Sequence, residues 1–237
     1  MKKTIPVPPQ RPTRSPSGPI GAGAVSAAAA AAADLSRLQA RARRCHGCPL
    51  YRRATQTVVG EGPARPRLVL IGEQPGDRED RAGRPFVGPA GGLLERALAE
   101  AGLERGEVYL TNAVKHFKWV RVGKRRIHQK PGAREIAACR PWMEREIALL
   151  GKGVVVALGA TAAQSLMGPA FRVTRERGRE IGVPWARAFF ATVHPSSILR
   201  GPPEQRAKEF SRFAADLRLA ARRASPAAGA GRRPGRP

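Results

Sequence analysis

Two runs of the chain are apolar at every position: LVLI at 68–71 and VVVAL within 153–159. Continuous short apolar runs bounded by Gly and Pro predict strands buried on both faces. EVYLTNAVK (107–115) and AFFATVHPSSILR (188–200) predict two more strands, each breaking into a polar loop. Between them the apolar period lengthens to that of a helix. ADLSRLQARARRC predicts a helix entering Cys45, and GGLLERALAEAGL a helix stopped by Gly102. GAREIAACRPWMEREIALLG predicts a helix that Pro141 kinks or divides, and ATAAQSLMG a short one. FRVTRERGREIGV reads as a hairpin turning at Gly178, and PPEQRAKEFSRFAADLRLAARR as a terminal helix.

Strands alternating with helices imply an α/β fold, a three-layer αβα sandwich around a mostly parallel four-stranded sheet. In such folds ligands bind beyond the carboxyl ends of the strands. The loops expected there are GEQPGD, TNAVKH and HPSSILR. One domain is expected over residues 34–222. Residues 1–33, Pro- and Ala-rich, and the basic stretch 223–237 are expected to be disordered tails. The alanine run 22–33 lacks the leucines and the early start of a signal peptide, and no stretch is long and apolar enough for a membrane span. An intracellular (cytoplasmic), monomeric protein is the expectation.

Charge sharpens the picture. The net charge is +25, and after four tail cations before residue 34 and five from Arg222 onward the body still holds +16. A polyanion is the natural partner. Residues 115–134 carry eight Lys and Arg and no acid, with His128 closing the run GKRRIH. By itself such a loop is a phosphate contact and its histidine incidental. Cys45, Cys48 and Cys139 cannot pair evenly, which turns attention from disulfides to a metal or cluster site.

Gly72-Glu73-Gln74-Pro75-Gly76 and His194-Pro195-Ser196 resemble the two signature motifs of the uracil-DNA glycosylase superfamily. Cys45-x-x-Cys48, GRPFVGPAGGLL (83–94) and VYLTNAVK (108–115) resemble its iron–sulfur branch, family 4, and GKRRIH with the glutamine of GEQPG resembles the UdgX-type proteins. The resemblance covers about residues 37–220 and implies the fold of that superfamily. It also implies a flipped uracil held in a closed pocket. Phe86 would offer an aromatic face, and the Asn112 carboxamide would complement N3–H and O4 of uracil. His194 would donate to O2 as negative charge builds on the leaving base. Glu73 would stabilise the sugar or orient an imidazole, and Gln74 and Asp77 would line the pocket. Lys124, Arg125 and Arg126 would pin their loop and grip phosphates, and Ser196 and Arg200 would also contact DNA, single- or double-stranded.

For His128 the resemblance implies attack on the sugar C1′ after uracil leaves, giving a covalent protein–DNA adduct. The alternatives are a conventional multiple-turnover family 4 enzyme in which His128 only contacts DNA, and a non-catalytic DNA-binding protein. A [4Fe–4S] cluster is implied, with Cys45, Cys48, His116 and Cys139 as ligands; by ligand chemistry alone Cys₃His suits zinc equally well.

Overall fold

The computed structural model describes residues 22–225; the outer parts of both expected tails, 1–21 and 226–237, lie outside the described residues. In chain order the elements are α1 (Ala22–Ala42), β1 (Leu68–Gly72), α2 (Asp77–Ala82), α3 (Pro89–Glu100), β2 (Val108–Asn112), β3 (Trp119–Val122) and β4 (Arg125–His128). They continue with α4 (Ala133–Leu149), β5 (Val154–Leu158), α5 (Ala160–Met167), α6 (Val173–Glu176), β6 (Ala188–Thr192), α7 (Pro195–Arg200) and α8 (Pro203–Ala224).

The sheet runs β2-β1-β5-β6 with every pairing parallel. All five positions of each of these strands are buried. Alternate residues feed opposite layers. Leu68, Leu70, Val154, Val156 and Phe190 pack against Leu94 and Leu98 of α3 and Phe213 and Leu217 of α8. Val69, Ile71, Val155 and Phe189 pack on the other face with Leu35 of α1, Met143 and Ile147 of α4, and Ala162 of α5. Burial on both sides explains why these strands lack a polar alternation. The expected three-layer sandwich is what forms.

Three expectations are corrected. The alanine run counted into the disordered N-terminal tail is instead helical from Ala22, as expected of the strongest helix former once the amphipathic part of α1 docks. At the other end α8 carries two residues past the expected boundary, to Ala224. The hairpin expected at Gly178 is the short helix α6, ended by Gly178 at φ +70°. Ile181 bridges Phe189 of β6, and the Gly178 N–H bonds Ala191 O, with no strand formed. The partner arm, rich in arginine, has no alternating apolar face to pair.

The basic loop is not a loop. β3 and β4 form an antiparallel hairpin with Trp119 opposite His128 and Arg121 opposite Arg126. Gly123, at φ +57°, supplies the left-handed residue that a tight two-residue turn requires. Pro141 lies inside α4, which runs unbroken through it. Among the described residues no helix is long and apolar enough to cross a membrane.

Candidate active site

The chain leaves β1 for β2 on one side and returns to β5 on the other, so strand order reverses between β1 and β5. A cleft of about 860 Å³ opens at that carboxyl edge, where such sheets bind ligands. Glu73 (after β1), Asn112 (the end of β2), Thr161 (after β5) and His194 (after β6) all line it, with Phe86 and His128.

Glu73 sits at the crossing point. One carboxylate oxygen accepts the Thr161 hydroxyl, and the other lies 3.3 Å from His128 Nε2. Burial opposes ionisation of Glu73, but the bonds from His128 and Thr161 outweigh it and hold the carboxyl below its usual range. The carboxylate is therefore charged at neutral pH.

His194 opens the turn into α7. Its Nδ1 accepts the Ser196 N–H at 3.1 Å and lies 2.8 Å from Ser196 Oγ. An Nδ1 that accepts leaves the ring hydrogen of a neutral imidazole on Nε2. Burial pushes the His194 pKa down to about 4, against the pull of Glu73, so the ring is neutral near pH 7. This has a consequence for stability. A histidine in the unfolded chain titrates near 6.5, so between pH 6.5 and 4 the unfolded state binds more protons. The contribution of His194 is complete above pH 6.5 and is lost as pH falls toward 4. Urea denaturation at pH 7 and pH 5 should show wild type losing about 2 kcal/mol more than His194→Asn, which retains an acceptor for Ser196 N–H. Equal losses would contradict the assignment.

Phe86 is buried, at φ +55°, a backbone region unfavourable for a side chain of this size. The fold compels it: Arg105 donates to the carbonyls of Pro85 and Phe86. Its ring lies 6.1 Å from that of His194, nearly parallel at 26°. Asn112 is buried beside it, and among the described residues no protein group hydrogen-bonds its carboxamide. A methyl group at Gly72 would stand 2.4 Å from Asn112 Oδ1 and 2.7 Å from Phe86 Cζ, so the glycine makes room for both.

Gln74 and Asp77 line the cleft, and they and Arg126 also make bonds within the fold. The Gln74 amide bonds Lys118 O, Lys118 N–H and Gln129 O, strapping the base of the β3–β4 hairpin. Asp77 is half-exposed and bonded to Arg81 and Arg126. Arg126 is not an exposed phosphate contact. Its side chain is 14 % exposed, bonds Asp77 and the fully buried Asp80, and lies 5.4 Å over the rings of Phe117 and Trp119. Lys124 and Arg125 are exposed at the turn, and Arg200 is exposed on the cleft rim.

Asp80 and Thr161 escaped sequence reasoning, as did Glu79, whose carboxylate takes the N–H groups of Gly76 and Gly88 and ties the two glycine-rich loops together. Only Thr161 left a signal, standing just past an all-apolar strand where the other site loops stand.

Cys48 and Cys139 share an apolar pocket with Val114. Burial pushes the Cys139 thiol up to about 11 and raises that of Cys48. Cys139 Sγ accepts the Lys115 N–H, and Cys45 Sγ the indole N–H of Trp142 at 3.1 Å. His116 is buried with Nε2 2.9 Å from Thr57 Oγ1. Among the described residues no three His, Cys, Asp or Glu side chains close around a single ion. Thiols and an imidazole are donors suited in kind to zinc or to a cluster that takes each ligand on a separate iron.

A parallel sheet with a carboxylate, a carboxamide and a neutral imidazole converging on a cleft at its switch point defines an enzyme-like α/β protein. The model for the uracil DNA glycosylase superfamily matches residues 59–218, and the chain belongs to that superfamily. It is 39 % identical over 161 residues to a type-4 uracil-DNA glycosylase of Thermotoga maritima, covering 68 % of this chain and 80 % of that one. A type-4 uracil-DNA glycosylase of Pyrobaculum aerophilum is 36 % identical, with 71 % and 86 % covered. A type-5 uracil-DNA glycosylase of Thermus thermophilus is 34 % identical, with 66 % and 75 % covered.

Proposed function

We propose that this chain excises uracil from DNA by cleaving its N-glycosidic bond, with Glu73, Asn112 and His194 as the working groups. The observation that carries the reading is the state of His194, a neutral ring whose Nε2–H is available because Nδ1 is occupied by Ser196. In this reading uracil lies against Phe86, and Asn112 reads its N3–H and O4. As the bond breaks, negative charge moves onto the base, where the His194 Nε2–H stabilises O2. Positive charge on the sugar faces the Glu73 carboxylate. Cytosine, with donor and acceptor exchanged on that edge, leaves the Asn112 amide mispaired. Lys124, Arg125 and Arg200 supply phosphate contacts that set the register of the strand. The relatives' names favour conventional turnover, in which water completes the reaction and His128 is a neighbour of the DNA.

A second reading of the sugar's fate is favoured by one contact, His128 Nε2 beside Glu73 Oε1 at 3.3 Å. It belongs to the UdgX-type resemblance. There Nε2 bonds to C1′ once uracil has left, and the Nε2 proton passes to Glu73. A uracil-bearing oligonucleotide, incubated with the protein and run on a denaturing SDS gel with and without alkali, separates the outcomes. A strand cut by alkali and no retarded band supports turnover. A retarded band that survives boiling and vanishes in His128→Ser supports the adduct. Uncut DNA with no band rejects both.

We propose a [4Fe–4S] cluster as the cofactor, held by Cys45, Cys48, His116 and Cys139; the family resemblance chooses iron, since zinc suits the same donors equally well. The cluster would supply a structural tie between the segment after α1, the segment after β2 and α4, away from the reacting atoms.

A further inference from the structure

Lys115 and Glu146 form an ion pair that the cleavage chemistry does not use. Their side chains are 1 % and 3 % exposed, with Nζ 2.5 Å from Oε2. Each ammonium hydrogen has a partner: Thr111 Oγ1 at 2.6 Å, Asn112 O at 2.9 Å and Glu146. The carboxylate in turn accepts from Gly60 N–H, Tyr109 O–H and Thr111 O–H. Burial pushes the Tyr109 phenol up, so it stays a donor, and Gln39 of α1 bonds both its oxygen and the Gly60 carbonyl. The pair is fully satisfied.

Stability is a poor reason to keep it, because well-packed apolar side chains of similar volume do as well or better than a buried ion pair. Its position gives a better one. β2 ends at Asn112, and the chain then turns inward. Ala113 N–H reaches Gly72 O, Val114 N–H reaches Glu73 O at 3.0 Å, and Lys115 N–H reaches Cys139 Sγ. The Asn112 carbonyl is held by the ammonium of Lys115, three residues on. The same turn therefore sets both the carboxamide of Asn112 and the backbone of Glu73.

We propose that Lys115, buttressed by Glu146, is a positioning residue for base recognition: it clamps the Asn112 carbonyl and so aims the Asn112 carboxamide into the cleft. This rests on Asn112 being the group that reads uracil. The clamp also joins that group to α4 and to the cysteine-bearing segment, with no part in the bond-breaking itself.

A double-mutant cycle tests it. Lys115→Met with Glu146→Gln removes both charges while keeping the stems, and single-turnover uracil release is measured with and without Asn112→Ala. With Asn112 present, the pair change should slow release about 10- to 100-fold. In the Asn112→Ala background the same change should cost less than about twofold. Melting curves identify the folded variants; if the double change does not fold, Glu146→Gln alone should give the same pattern at a several-fold scale. An equal loss in both backgrounds, or no loss with Asn112 present, overturns the proposal. Asn112→Ala releasing uracil at the wild-type rate would instead sink the base-reading role, and this inference with it.

Discussion

His194→Leu is expected to slow uracil release by about 10²- to 10³-fold while leaving affinity for uracil-free DNA almost unchanged. The size follows from what the ring does. A donor fixed in place before the reaction costs nothing to reorganise when charge develops, and one such donor carries about 3–4 kcal/mol of transition-state stabilisation. His194 meets that condition, because Ser196 N–H occupies Nδ1 and the hydrogen has nowhere to sit but Nε2. Leucine keeps the volume of the residue and removes the donor. His194 is neutral near pH 7, so leucine removes no positive charge and binding of undamaged DNA should not suffer. The measurement is single-turnover base release beside a fluorescence titration with uracil-free oligonucleotide. A loss confined to affinity would show that His194 binds DNA and takes no part in the chemistry.

Arg126→Ala is expected to destabilise the protein by about 3 kcal/mol, a drop in melting temperature of roughly 6–12 °C. Arg126 neutralises Asp80, which has no exposed surface and would otherwise keep only Thr55 as a partner. The loss reaches function through geometry. Arg126 locks β4 onto α2 through Asp77 and Asp80, and His128 is two residues along the same strand. With the lock gone, the 3.3 Å approach of His128 to Glu73 loses its support. Arg126→Lys should rescue little, since one ammonium cannot reproduce a guanidinium bonded to two carboxylates and lying near two aromatic rings. Calorimetry reads the first effect, and hydrogen exchange at Ile127 and His128 reads the second. An unchanged melting temperature would mean the arginine is the phosphate contact its sequence context suggests.

That contrast shows where the sequence was legible. The strands could be read because a parallel sheet covered on both faces needs uninterrupted apolar runs, as in Leu68–Ile71. The loops at their ends marked the place of the site, since the fold gathers strand ends together, and the superfamily resemblance named Glu73, Asn112 and His194 within them. Arg126 could be read as one of the loop's anchors but not told apart from its neighbours. In GKRRIH three adjacent cations look alike, and what separates Arg126 from Lys124 and Arg125 is a carboxylate 46 residues away in the chain. Gln74 could be placed in the site by its loop, and it lines the cleft, but the bonds its amide makes to the hairpin backbone could not be read. The hairpin itself was hidden by charge, because Val120, Val122 and Ile127 alternate among cations. α1 was hidden by composition, because an alanine run reads as low complexity until a packed partner is known.

The most direct test of the central claim is the free base. A synthetic strand carrying one uracil is incubated with excess protein, and the small-molecule fraction is read by mass spectrometry, beside matched strands carrying cytosine or thymine at that position. Stoichiometric free uracil is expected from the first strand and no free base from the other two. Uracil still attached to its sugar after prolonged incubation, or cytosine released as readily, would contradict it.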